Sequence, residues 1–437
     1  MVFSPSDSDA LKRGSSVARL GPVTSAFVIG VLGSLILATT AVAEVPHSLT
    51  ANFGAATSTP VNPYPLANPS DVAVDDSGGS ATGAIYVTDP ANHRVQKFDA
   101  AGNFLLMFGR EVNSGTGDPN VCTNAGAPTD ICQAGTPGGA ASQFNFPQWI
   151  AIDNSPGPSN GDVYVADSVE KQVQKFDPSG NLIASWAEAG LLKGTPGTPF
   201  SGALRGIAVD MHGNLFTYIE KGAANGTVHK FDGDGVYSTE KFDTTGGVSE
   251  KAGIAVDVED HLYVVGPTGS SFVKKYDGKG NLLGQVQPPS QTVGIAAGSE
   301  GLARNDVYAV NGNGAQVDHL HASCSQACVA VETLGAGDLI AAEGVAVDGQ
   351  SNTIYVANTG TGSVAVFGPV IRKPSIDGFY ASNVTATSAD LHAAINPGGS
   401  PTQYHFEYGT TPEYGASTPP VSIGSGPRSV PDTVAHP

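Results

Sequence analysis

One phrase recurs through most of the chain and constrains its fold more than any other feature. It is a short apolar strand ending in Asp, a turn, a second strand reading Tyr-Val, a polar loop, and a third strand reading Val-x-Lys-Phe-Asp. The first strands are Val72-Ala-Val-Asp75, Ile150-Ala-Ile-Asp153, Gly206-Ile-Ala-Val-Asp210, Gly253-Ile-Ala-Val-Asp257, Gly294-Ile-Ala-Ala-Gly298 and Gly344-Val-Ala-Val-Asp348. The second strands are Ile85-Tyr-Val-Thr-Asp89, Val163-Tyr-Val-Ala-Asp167, Leu215-Phe-Thr-Tyr218, Leu262-Tyr-Val-Val265, Val307-Tyr-Ala-Val310 and Ile354-Tyr-Val-Ala-Asn358. The third strands run from Asn92-His-Arg-Val-Gln-Lys-Phe-Asp99 and Val173-Gln-Lys-Phe-Asp177 through Val228-His-Lys-Phe-Asp232 and Val273-Lys-Lys-Tyr-Asp277. Val317-Asp-His-Leu320, in the degenerate fifth copy, and Val364-Ala-Val-Phe367 complete the set.

One copy reads as a small antiparallel sheet. Val, Ile, Tyr and Phe supply β-branched and aromatic packing, while Gly, Asp and Asn punctuate the turns. Asp99-Ala-Ala-Gly-Asn103, Asp177-Pro-Ser-Gly-Asn181 and Asp277-Gly-Lys-Gly-Asn281 are turn sequences leading into a fourth strand such as Asn103-Phe-Leu-Leu-Met-Phe-Gly109. A single four-stranded unit cannot bury both faces, but six arranged radially can. The expected fold is therefore all-β, a six-bladed β-propeller.

These phrases resemble the NHL repeat family, over about residues 70–367, with copies one and two matching best and copy five poorly. That resemblance implies a six-bladed propeller, in agreement with the count of copies. Copy six lacks an obvious fourth strand. Ser48-Leu-Thr-Ala-Asn-Phe-Gly54 lies ahead of copy one, and its Phe-Gly ending echoes Phe108-Gly109. The expectation is that residues near 48–54 supply the outer strand of blade six, so that the propeller spans 47–370 and its last sheet edge is covered. The interval from Asp75 to Asp153 is the longest between copies. Its insertion, Arg110 to Phe144, reads as a blade-to-blade surface loop pinned by a disulfide.

Ahead of the repeats, Lys12, Arg13 and Arg19 precede an uncharged run from about Ala26 to Ala38, and Ala41-Val-Ala43 stands before Glu44. This is the pattern of an export signal over residues 1–43, cleaved near Ala43, with a retained membrane anchor as the alternative. No later segment is apolar for long enough to span a membrane, so the mature chain is expected in the extracellular space or cell envelope. Export makes Cys122, Cys132, Cys324 and Cys328 candidates for disulfides, most simply 122 with 132 and 324 with 328. The alternative for the second pair is a metal site with His319 and His321. Those two imidazoles would point the same way only on a strand.

After Phe367 the pattern changes. Tyr404, Phe406 and Tyr408 alternate with Gln403, His405 and Glu407, the logic of a half-buried strand. Residues 374–437 resemble the opening strands of a fibronectin type III-like sandwich, but are too few for a complete one. From about Thr418 the Pro, Ser, Gly and Val composition suggests a disordered tail.

Of the 437 residues, 21 are Lys or Arg and 40 are Asp or Glu, a formal charge of −19. Removing residues 1–43 leaves 18 basic against 38 acidic residues. Nucleic acid is therefore not an expected partner, because phosphate affinity rests on clustered Lys and Arg. The recurring Asp residues 75, 153, 210, 257 and 348 read as turn acceptors rather than as a catalytic set, and so do Asp89 and Asp167 with Asn358 in the equivalent place. His93 and Arg94 occur in copy one alone and read as local polar contacts. His212 falls in a turn, His261 at a strand start, and His229 and His392 within strands. No nucleophile elbow, zinc-protease motif or phosphate loop occurs, and no catalytic residue or cofactor is implied. Two classes of function remain. One is a secreted or cell-surface binding or scaffolding protein for a protein, glycan or small-molecule partner. The other is a metal-dependent extracellular lyase or lactonase-like enzyme with its site at the channel mouth, the chemistry found among propellers that the NHL family resembles.

Overall fold

A computed structural model describes residues 2–3 and 46–436, apart from 61, 124–129, 221–224, 246–252, 267–271, 290, 299–305, 312–314, 322–329, 371–372, 386–387, 398–401, 409–415 and 425–429. Apart from residues 2–3, the export segment lies outside the described residues, and so does the pair Cys324 and Cys328. The chain divides into two compact units, Ser48–Gly368 and Pro369–Pro437 with the residues up to His47.

The larger unit is a ring of six antiparallel sheets, five built from consecutive strands and the sixth from both ends of the ring. Blade one is Val72–Val74, Ile85–Asp89, Arg94–Phe98 and Phe104–Phe108. Blade two is Pro147–Ile152, Val163–Asp167 and Gln172–Phe176, with a short outer strand at Leu191–Leu192. Blade three runs through Leu204–Val209, Leu215–Glu220, Asn225–Phe231 and Tyr237–Thr245. Blade four runs through Ile254–Val256, Leu262–Val265, Val273–Tyr276 and Leu282–Val286. Blade five is Thr292–Ala297, Val307–Asn311, Val317–Leu320 and Glu332–Leu334. Blade six takes Ala342–Asp348, Thr353–Asn358 and Ser363–Pro369 from the end of the repeat, and its outer strand is His47–Phe53.

Register explains why the repeat reads as it does. In blades one to four the aromatic of the second strand stands directly opposite the third-strand Lys: Tyr86 with Lys97, Tyr164 with Lys175, Phe216 with Lys230, and Tyr263 with Lys275. Each ammonium lies 5.0 to 5.3 Å from the ring centroid, within cation–π range. Hence Tyr-Val and Lys-Phe recur together.

The core sits in the seams between blades. Ala73, Tyr86, Val95 and Phe108 of blade one pack with Ile150, Ile152, Val163, Val165 and Phe176 of blade two. The closing seam joins both ends of the ring, with Phe53, Ala346, Tyr355 and Val364 against Val72, Ile85, Val87 and Phe98. Phe53 meets Phe98 at 4.9 Å between ring centroids, as Phe108 meets Phe176 at 4.7 Å. Each such buried Phe contributes about 1.5–3 kcal/mol by leaving water. The turn glycines serve this packing twice over. Gly102 and Gly180 have φ of +82° and +84°, and a Cβ on either would strike Phe53 or Phe108.

The insertion after blade one differs from the expected plain surface loop. Val121–Thr123 pairs with Leu106–Phe108 as a fifth strand on the blade's outer edge. Cys122 is buried there and bonded to Cys132. Asn113 donates to Asp130, which also accepts from the N–H and hydroxyl of Thr123. The reason is physical: an open edge strand is a liability, and a nearby extended segment satisfies it.

In the smaller unit, Ser375–Ser382, Ala389–Asn396 and Val430–His436 form one sheet, and Thr402–His405 pairs with Val421–Gly424. Leu391, Ala393, Ile395, Tyr404 and Phe406 form its core, so the alternation at 404 and 406 is inward. Beyond Thr418, where composition gave no strand pattern, two strands are therefore present.

Candidate functional site

Six first strands surround the ring axis. The middle residue of each is alanine: Ala73, Ala151, Ala208, Ala255, Ala296 and Ala346. Small side chains are needed where six strands converge. They and their Val and Ile neighbours line a cavity of about 150 Å³, which Asn154, Asp210 and Asp257 also reach. Among the described lining residues, Asp210 and Asp257 are the carboxylates, and no Ser, Thr, Cys, His or Lys lines the wall.

The recurring acids are used by the turns. Asp210 accepts from the backbone N–H of His212 (2.9 Å) and Asn214 (2.8 Å). Asp257 accepts from Glu259 and His261, Asp348 from Gln350 and Ser351, and Asp75 and Asp153 from Ser77 and Ser155. Burial raises the Asp153 carboxyl above its usual range, against the Ser155 hydrogen bonds and Lys175, which lower it. The acids closing the second strands hold the connectors between blades. Asp89 accepts from the N–H of Ala67, Asp167 from that of Asn145, and Asn358 from that of Ile340. Arg94 is buried and spans Asp89, Tyr64, Pro65 and Gln133, a local clamp rather than a ligand-facing cation. His93 sits in a left-handed turn, at φ +52°.

At the mouth where the first strands begin, Gly206, Gly253 and Gly294 line a second cavity of about 60 Å³. Blade one carries Asp71 at the equivalent position and blade two carries Trp149. Asp71 accepts from the N–H of Ile150 and Val72, both at 3.0 Å. Burial pushes its carboxyl up to about 7, with Glu343 adding to the rise and the two N–H bonds opposing it. On the same side Arg205 grips Glu220 through Nε and Nη2, at 2.8 and 2.6 Å.

At the opposite mouth, the turns of blades three and four bring Asp210, His212 and Asp260 within 4.8 Å of one another. Sequence reading placed His212 in a turn and missed its partners, because blade adjacency, not chain proximity, makes the contact. The one available signal is an Asp where the blade-three turn places Gly213. In blade five, His319 on its strand and His321 just beyond both reach Asp306, at 3.1 and 3.5 Å. His319 also stacks on Tyr308 at 4.3 Å. His392 bonds Ser382 (2.7 Å) and stacks on Tyr380.

No family profile and no curated protein matches the chain. Among solved structures, a calcium-binding regucalcin from Agrobacterium tumefaciens aligns at 11% identity, covering 74% of this chain and 94% of that one, with a TM-score of 0.44. A chain of a mitotic checkpoint complex aligns at 10% identity over 80% of this chain and 99% of its own, with a TM-score of 0.46. A catalytically inactive virginiamycin B lyase from Staphylococcus aureus, bound to quinupristin, aligns at 12% identity over 75% and 92%, with a TM-score of 0.40.

Proposed function

We propose that the chain is an exported NHL-type propeller that binds a protein, glycan or small-molecule partner at its rim, with a partial fibronectin type III-like module following it. The channel wall carries this reading. Its described residues are mostly Ala, Val and Ile, with Asn154, Asp210, Met211 and Asp257 beside them, and most recurring polar residues are spent on turns and seams. Several residues that differ from blade to blade gather at the mouth where the first strands begin: Asp71, Trp149, Arg205 with Glu220, and Glu343. Residues that vary within a repeat on one face suit recognition of a single partner. The Cys122–Cys132 disulfide supports an oxidising compartment, and with it the export reading of residues 1–43.

A thermal-shift screen against glycan fragments, peptides and small metabolites tests this, with the double variant Arg205→Ala, Glu343→Gln as control. A ligand that raises the midpoint of the parent but not of the variant supports binding at this mouth. Turnover of a ligand by the parent would sink the binding-module reading and favour the metal-dependent lyase or lactonase-like alternative, which draws on Asp210, His212 and Asp260.

A further inference from the structure

We propose that Asp210, His212 and Asp260 form a binding site for one divalent transition-metal ion, zinc by the chemistry of the donors, at the seam of blades three and four. This goes beyond the partner-binding reading and does not depend on it.

The two turns are copies of one device, Asp210-Met-His-Gly-Asn214 and Asp257-Val-Glu-Asp-His261. In both, the leading Asp accepts from the N–H groups two and four residues on. Gly213 takes the left-handed position of the first turn, at φ +77°; Asp260 takes it in the second, at +60°. A Cβ at Gly213 would stand 3.2 Å from Oδ2 of Asp153, the leading Asp of the preceding blade. The same slot in blade four therefore brings the Asp260 side chain to Asp210 of blade three. A backbone position that disfavours a side chain holds one here, and that side chain is an acid set close to another acid.

Two carboxylates this close repel unless a positive charge lies between or beside them. Lys230 reaches Oδ2 of Asp210 only at 3.9 Å. Lys275 and His261 serve Asp257, and His261 also faces Glu259. Nδ1 of His212 is 3.2 Å from Oδ2 of Asp260, while Oδ1 of Asp260 is buried with no hydrogen-bond partner. One imidazole nitrogen and two carboxylate oxygens are a donor set for zinc, which takes three protein ligands and leaves a position for water. Calcium prefers six to eight oxygens and gains nothing from imidazole. The His212 side chain is 69% exposed, so an ion enters directly from solvent.

Calorimetric titration of the metal-stripped protein with Zn²⁺ tests the site. The parent should bind one ion at this site, and His212→Ala should weaken that binding at least tenfold. Asp260→Gly restores the residue of the sister turn, so it should fold with an unliganded melting midpoint at or above the parent's, lose the zinc-induced rise in that midpoint, and also weaken binding at least tenfold. The proposal is overturned if the parent takes up no zinc, or if either variant binds it within threefold of the parent. Displacement of the ion by equimolar Ca²⁺ would overturn the choice of metal.

Discussion

In blade two, Lys175 stands opposite Tyr164 and meets Asp162 at 3.0 Å; in blade five, His319 stands opposite Tyr308 and meets Asp306 at 3.1 Å. The positions are the same and the residues are not. Lys175 holds its ammonium 5.1 Å from the ring centroid, whereas His319 lays its imidazole flat on the ring at 4.3 Å. Blade five has also replaced the Asp that ends the first strand by Gly298, yet it keeps four strands in the same order. These two blades therefore keep a carboxylate, a nitrogen group and a phenol in the same places, and the fold tolerates exchange of ammonium for imidazole there.

The largest test breaks the regular blade. Lys175→Ala leaves the Asp162 and Asp153 carboxyls buried without their cation and should cost about 3–5 kcal/mol by urea unfolding. His319→Ala should cost less, about 1–3 kcal/mol, because His321 still faces Asp306. Equal losses would mean that the ammonium of blade two holds its carboxyls no more strongly than the imidazole of blade five holds Asp306.

A third test removes a background that would blur pH comparisons between the blades. The Asp71 carboxyl titrates near 7 in the folded protein, above its unfolded value of 3.8, so its contribution to stability falls as pH rises between those values. Asp71→Asn should lose at least about 1 kcal/mol less than the parent between pH 5 and pH 8. An identical pH profile would count against a buried, neutral Asp71. The smallest effect is the exchange His319→Lys, which restores the common residue and should stay within about 0.5 kcal/mol of the parent. A large loss would show that the imidazole stack, not the position, holds blade five.

The blades were legible because their signal repeats. Ile-Ala-Val-Asp is forced by six strands converging on an axis, and Asp by the turn N–H groups it must accept. Tyr and Lys follow from direct opposition across two strands. The fifth strand at Val121–Thr123 was not legible, since three residues carry no periodicity and their partner is set by edge protection. The cluster of Asp210, His212 and Asp260 was illegible for a different reason. Asp210 and His212 lie in one copy and Asp260 in the next, and only the packing of blade three against blade four brings the two turns together.

The outer strand of blade six carries a consequence for synthesis. His47–Phe53 is made before any other strand of the ring, and its neighbour Ser363–Pro369 is made last. The first strand synthesised must wait unpaired for the whole ring to be translated. Until then two sheet edges stand open, and a chain shortened by even the last strand would keep them so.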